Sequence, residues 1–289
     1  MFVNNLKEVL RKCIDLYILR LFLPKRLLLK LFGYVAIGET KRLFRYPLWV
    51  TVDLVGYPDF KIKVDGNFNL PFLDNSLKAL YSSHNIEHIS LEGVHSFFRE
   101  ASRVLKSGGE FLIDIPCSKK AYSMLKIASE NKSNISLKNY LEGLEITDYA
   151  FEKSTKILSS NSNYASDVIR HPYNMIINGI IASYMSPSYN SCLLPVIHDP
   201  LVIDEVLNKF SMDEFFNYIY DSIPFGYRYS GGHCEAWYDD KLAMLLFEYG
   251  FEVNIRQHKE SKLLPKFLVP DRDYIRRDKW SVKISAIKK

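Results

Sequence analysis

Only four cysteines, Cys13, Cys117, Cys192 and Cys234, occur in 289 residues, widely scattered and with no Cys-x-x-Cys pair. That argues against a disulfide framework and a cysteine-rich zinc site, and it fits a reducing cytoplasm. No apolar run reaches the roughly 18 to 20 residues that a spanning helix needs. An internal repeat is lacking too. So is a strong charge of one sign: 38 Lys and Arg against 33 Asp and Glu leave a formal charge of +5. Without a clustered basic stripe we expect no nucleic-acid partner, although anionic small molecules are admissible. Nothing in the sequence fixes an oligomeric state.

Residues 1–33 mix Leu, Ile and Phe with Lys7, Arg11, Lys12, Arg20, Lys25, Arg26 and Lys30. The charges break every apolar run and no small-residue cleavage site follows, so we expect neither a signal peptide nor a transmembrane helix. A basic amphipathic helix has two uses here. It can lie on an anionic membrane through residues 1–30, placing the protein at the inner face, or it can cap a sheet.

What is present is a core. With 47% hydrophobic residues the chain can bury one enlarged domain, or one domain with a substantial insertion. Tyr34–Gly38, Trp49–Leu54 and Phe60–Val64 are short, β-branched segments bounded by turn residues, as strands are. Ala79–Ser83 is a brief apolar run ending in small polar residues, which suits a buried parallel strand opening into a crevice. Val94, Phe97, Phe98, Ala101, Val104 and Leu105 recur at helical spacing, Gly108-Gly109 is expected to stop that helix, and Glu110–Pro116 alternates like the next strand. This is a βαβ unit. From about Cys117 to Gly232 come Ser/Asn-rich breaks and amphipathic segments with His171, Tyr189, His198 and Tyr227-Arg228-Tyr229, too apolar for a linker. We expect a mostly helical lid. Asp239–Tyr249 then sets Leu242, Leu245, Leu246 and Tyr249 on one face before Gly250-Phe251, and Trp280–Ile287 alternates as a final strand.

The stretch Leu70-Pro-Phe-Leu-Asp-Asn-Ser76, the element Ser83-His-Asn-Ile-Glu-His88 and the turn Arg103-Val-Leu-Lys-Ser-Gly-Gly109 stand in one order and spacing. Together they resemble the signature around strand 4 of class I S-adenosylmethionine (SAM)-dependent methyltransferases, in a subgroup often encoded with surface-polysaccharide genes. The resemblance covers roughly residues 34–116 and 233–289. It implies an α/β fold with a Rossmann-like seven-stranded sheet and a helical insertion before the last strands. The chain then divides into an N-terminal helical segment 1–33, a SAM-binding half 34–116, an insertion 117–232 and a C-terminal part 233–289.

It also implies the cofactor, SAM, and where to seek its site. A doubly wound sheet offers SAM a close backbone approach after strand 1, an acidic acceptor for the ribose after strand 2 and a polar grip on adenine after strand 3. Gly38 and Glu39, then Asp53 and Leu54, then Asp65, Gly66 and Asn67 occupy those places. Ser83, His84 and His88 follow strand 4, where the methionyl part is expected. The chain departs from the family at strand 1, where Gly38-Glu39-Thr40 replaces Gly-x-Gly. Thr40 resists the close approach that a second glycine allows. A catalytically silent scaffold that keeps the fold is the alternative this departure raises.

For acceptor chemistry a histidine can take a hydroxyl proton near neutral pH. His233, within Ser230-Gly-Gly-His-Cys-Glu-Ala-Trp-Tyr238, resembles a histidine that relatives carry before the last helix, and His84 and His171 are alternatives; capping the helix or packing on Trp237 are its non-catalytic roles. His84-Asn-Ile-Glu-His88 also fits the inverted zincin pattern, which asks for a long helix and a further carboxylate. It follows a strand here, so no metal is expected. The acceptor is expected to be a small molecule or glycan.

Overall fold

The computed structural model describes residues 23–38, 48–54, 57–62, 68–131, 171–181, 198–223, 232–255 and 281–289. Seven strands form one sheet: β1 (Tyr34–Ile37), β2 (Val50–Asp53), β3 (Phe60–Lys61), β4 (Leu77–Ser83), β5 (Leu105–Pro116), β6 (Phe251–Ile255) and β7 (Ser281–Lys288). Their order is β3-β2-β1-β4-β5-β7-β6, with β7 antiparallel to both neighbours and the remaining pairs parallel. Strand order reverses between β1 and β4. The crevice outside their carboxyl ends is therefore the switch point, where doubly wound sheets bind ligands.

Alternation along the strands makes two faces. Leu80, Phe111, Ile113, Ile115, Val282, Ile284 and Ala286 point into the main core, and Ala36, Trp49, Ala79, Tyr81 and Leu112 into a smaller cluster on the other side. Helix α1 (Lys25–Leu31) joins the main core through buried Leu28. Lys25 Nζ donates to the Asp59 carbonyl and sits 5.6 Å over the Phe60 ring. Residues 25–31 thus cap the sheet. Residues 1–22 lie outside the described part.

Helix α2 (Leu91–Val104) is started by Ser90, whose hydroxyl accepts from Gly93 N–H at 3.3 Å, and it buries Val94, Phe97, Phe98, Ala101 and Val104. It ends earlier than the glycine pair implies. Asn75 N–H and Ser76 N–H donate to the carbonyls of Arg103 and Val104 at 2.9 Å each, and Leu105 is already extended. The turn leading into β4 therefore supplies the C-terminal partners that a glycine cap would have supplied. Gly108-Gly109 instead lies inside β5, where the register jumps from Leu77↔Leu105 to Ala79↔Glu110, and Gly108 takes φ +74°.

Arg103 anchors the loop before β4. Its guanidinium donates to Glu100 (Nε to Oε1, 2.7 Å; Nη2 to Oε2, 2.8 Å), to the carbonyls of Leu70 (3.0 Å) and Phe72 (2.9 Å), and to Asp74 (2.6 Å). Glu100 in turn accepts from Leu70 N–H at 2.7 Å. The Leu70–Ser76 motif and the Arg103 turn are thus two halves of one polar network.

The segment after β5 supplies α3 (Ser118–Asn131), α4 (Pro172–Ile176) continued by a wide turn over Ile177–Ile181, α5 (Pro200–Lys209) and α6 (Met212–Asp221). These helices share a second core of Leu125, Ile176, Ile181, Ile203, Leu207, Phe215 and Ile219. Pro at the first position with Asp199 as cap starts α5, and a Ser211/Glu214 capping box starts α6. Ser118 N–H donates to the Trp237 carbonyl at 2.8 Å, tying this layer to the extended segment before α7 (Asp239–Glu248). Helix α7 turns through Gly250, at φ +83°, into β6, a strand the sequence reading left out.

Candidate active site

Gly38 ends β1 at φ +76°, and a Cβ there would stand 2.6 to 2.7 Å from the Cβ, Cγ and Oδ1 of Asn85. Only glycine suits that backbone, because an L side chain is disfavoured by both the angle and the space. The close approach brings the carboxyl end of β1 against the turn that follows β4. Asp53 ends β2 half-buried, its Oδ1 accepting from Leu54 N–H at 2.6 Å. Glu39, Asp65, Gly66 and Asn67 lie outside the described residues, as do Tyr189 and Tyr227–Tyr229.

Beyond β4 the chain turns sharply. Ser83 is the last strand residue, His84 takes φ +48°, and Ile86–His88 form a single 3-10 turn. A non-glycine residue in the left-handed region costs of order 1–2 kcal/mol and persists only where its surroundings hold it. His84 is held on two sides: Nε2 lies 3.2 Å from Ser281 Oγ and Nδ1 lies 3.4 Å from Glu87 Oε1.

Around Glu87 three imidazoles converge. His84 Nδ1, His88 Nε2 and His233 Nε2 lie 3.4, 3.8 and 4.0 Å from its Oε1. Glu87 is 1% exposed, and neither of its oxygens has an aligned hydrogen-bond partner among the described residues. The histidines arrive from different elements. Residues 232–237 are laid along the turn by Cys234 N–H, which donates to the Glu87 carbonyl at 2.7 Å. This places His233 beside His88, ring centroids 5.1 Å apart. His88 Nδ1 meets the Gly232 carbonyl at 3.1 Å, and His233 Nδ1 meets the Ile181 carbonyl of the helical layer at 3.1 Å. His233 therefore neither caps α7, whose N-cap is Tyr238, nor merely packs on Trp237.

Electrostatics sets the charge state of this group. Burial pushes the Glu87 carboxyl up, but the His84 contact and the fields of His88, His84 and His233 outweigh it and hold the carboxyl down at about 2. Burial pushes the His233 imidazole down to about 4, against the opposing pull of Glu87. Glu87 is therefore ionised and His233 neutral. Both follow from a buried carboxylate surrounded by polar rings and a fully buried base.

Three further residues escaped the sequence reading. Asp114 in β5 is buried, 4.0 Å from His84 Nε2 and 3.5 Å from Lys283 Nζ, and Ser281 and Lys283 reach the site from β7. A buried acid interrupting the Phe111–Ile115 run was the available signal for Asp114. His171, by contrast, caps α4 and meets Tyr173 and the field of Asp204, with no contact to this cluster among the described residues.

Residues 54–113 match the family model of the methyltransferase domain. The match ends one residue before Asp114 and contains β3, β4, α2 and most of β5. We find no match among curated proteins. Among solved structures, a SAM-dependent methyltransferase from Thermotoga maritima is 15% identical, covering 100% of this chain and 96% of that one with a TM-score of 0.36. An S-adenosylmethionine dependent methyltransferase from Mesorhizobium loti is 14% identical over 93% of this chain and 95% of that one, TM-score 0.36. The citrinin polyketide synthase CMeT domain is 9% identical over 89% of this chain, which spans only 46% of that one, TM-score 0.38. At such scores the likenesses carry no weight; the fold rests on the strand order.

The match to that family model implies SAM as cofactor. The described residues fit it: Gly38 leaves the backbone bare at the switch point, and Asp53 brings a carboxylate to the neighbouring strand end. Ser83 and His84 close the crevice from β4.

Proposed function

We propose that the chain is a SAM-dependent O-methyltransferase acting on a sugar, sugar nucleotide or glycan intermediate of a bacterial surface polysaccharide. The observation that carries this reading is the meeting of two sets of groups at one switch point. Gly38 and Asp53 stand on the cofactor side, and the His84–Glu87–His88–His233 cluster stands on the other. The polysaccharide acceptor rests on the sequence resemblance alone.

SAM supplies a methyl group made electrophilic by its sulfonium. The acceptor hydroxyl must lose its proton as its oxygen bonds the methyl carbon and the carbon–sulfur bond breaks. We assign that proton to the imidazole cluster, with His84 and His233 as its members. Ionised Glu87, 3.4 Å from His84 Nδ1, favours the imidazolium that forms there. The described helices α3 to α6, which meet the cluster through the Ile181 carbonyl, shield its inner side from water. We place the protein in the cytoplasm, where Cys117 and Cys234 are stable as thiols, with residues 1–30 as the candidate contact to the inner membrane face.

The test is transfer of label from methyl-tritiated SAM to a panel of sugar nucleotides and undecaprenyl-linked glycans. Acceptor-dependent incorporation that falls in His84→Asn and His233→Ala supports the assignment. Binding of SAM with no incorporation into any acceptor would instead favour the silent scaffold.

A further inference from the structure

We infer that Glu87, His88 and His233 bind one divalent transition-metal ion, with zinc the best match. Its role at the acceptor rests on the function proposed above, but its existence does not. Their ligand atoms lie within 4.8 Å of one another, and no other group of three such residues does so among those described.

Hydrogen bonding carries the argument further than proximity. The carbonyls of Gly232 and Ile181 only accept, so His88 and His233 each place their N–H on Nδ1. In the neutral rings both Nε2 atoms are then bare lone pairs, and both face the carboxylate oxygen Oε1 of Glu87 at 3.8 and 4.0 Å. Three acceptors thus converge with no donor between them. Glu87 is at the same time a buried carboxylate with no aligned partner on either oxygen among the described residues, His84 Nδ1 at 3.4 Å being its nearest imidazole, and a buried carboxylate so placed costs several kcal/mol unless a cation answers it. A ligating histidine that donates its second N–H to a backbone carbonyl is the usual arrangement around a protein-bound metal, because it fixes the ring and its tautomer.

The donor set, two imidazoles and one carboxylate, is that of zinc sites which keep a position open for water or substrate. At bond lengths of about 2.0–2.1 Å, tetrahedral ligand atoms stand about 3.3 Å apart, so the 3.8 and 4.0 Å contacts to Glu87 must shorten by about half an ångström or a little more, and no pair, all lying within 4.8 Å, by more than about 1.5 Å. His88 is the half-exposed member, with 36% of its side chain accessible, against 6% for His233 and 2% for Glu87. The open position therefore faces outward on the His88 side. An acceptor hydroxyl bound there would be acidified by the ion, so that within the imidazole cluster His84 takes the proton while His233, with both ring nitrogens engaged, serves the reaction through the ion. The motif His84–His88 alone hides this site, because the third ligand comes from His233 beyond the insertion.

The test uses cobalt(II) as a spectroscopic probe on the full chain, after stripping with a chelator and without SAM. We expect visible d–d bands that saturate at one ion per chain and vanish on addition of zinc(II). His88→Ala, at the half-exposed position, and Glu87→Gln, which keeps the shape, should each abolish the bands while circular dichroism is unchanged. Asp53→Ala should keep them, so failure of the SAM reading and failure of the metal reading are distinguishable. Wild-type protein without saturable bands, or bands that survive in both His88→Ala and Glu87→Gln, would overturn the inference.

Discussion

Replacing Gly38 by alanine tests whether the β1 and β4 ends meet as described. The new methyl would stand 2.6 Å from Asn85 Cγ and 2.7 Å from both Cβ and Oδ1, at a backbone angle of φ +76°. The angle alone costs about 1–2 kcal/mol for an L residue. Relieving contacts with atoms so near the Asn85 backbone adds about 1–3 kcal/mol. The reduced entropy of the unfolded chain returns about 0.4–1 kcal/mol. The net expectation is a loss of about 1–4.5 kcal/mol in urea unfolding, read as a lower midpoint at constant slope. Asn85→Gly removes all three contacting atoms but leaves the angle. In that background Gly38→Ala should cost only the angle's share, giving a coupling of about 1–3 kcal/mol. A single-mutant loss below about 0.5 kcal/mol, or strict additivity of the two substitutions, would refute the close approach and with it the geometry of the crevice.

Arg103→Lys keeps the charge but cannot reproduce the five-bond clamp on Glu100, Asp74 and the Leu70 and Phe72 carbonyls. It should cost about 1–3 kcal/mol in stability, and an unchanged urea midpoint would show the loop to be held by other means. Burial holds the His198 imidazole down at about 4, and its Nε2 has no hydrogen-bond partner among the described residues. Because this folded value lies below the unfolded one, the unfolded chain takes up the proton first as pH falls. Stability from this group is thus unaffected above about pH 6.5 and declines by about 2–3 kcal/mol toward pH 4. His198→Asn should remove that part of the slope between pH 7 and pH 4.5, and a variant with the wild-type pH dependence would contradict it.

Strands and helix faces were legible where local pattern and tertiary burial agree. The alternation of β5 and β7, the stripe of α2 and the apolar face of α7 all state in sequence which side meets the core. Gly108-Gly109 misled because partners for the last carbonyls of α2 came from Asn75 and Ser76, which local sequence does not reveal. Strand β6 was overlooked because Phe251–Ile255 pairs only with β7 and shows no clean alternation at that edge. In the site, Gly38, Asp53, Ser83 and His84 could be placed in advance because strand ends follow from strand positions. The grouping of Glu87 and His88 with His233 could not, since it depends on a backbone bond between Cys234 and Glu87 that joins distant segments. The same holds for Ser281 and Lys283, which reach the crevice only because β7 runs antiparallel beside β5.

The central claim, that the crevice between β1 and β4 holds SAM, is tested most directly by calorimetric titration of the full chain with SAM and its demethylated product. We predict saturable binding of one molecule per chain, weakened at least about tenfold, or 1.4 kcal/mol, in Asp53→Ala, with an unchanged urea midpoint for that variant. No heat and no thermal shift with either ligand at millimolar concentration would contradict the account, as would an Asp53→Ala variant that binds like the wild type.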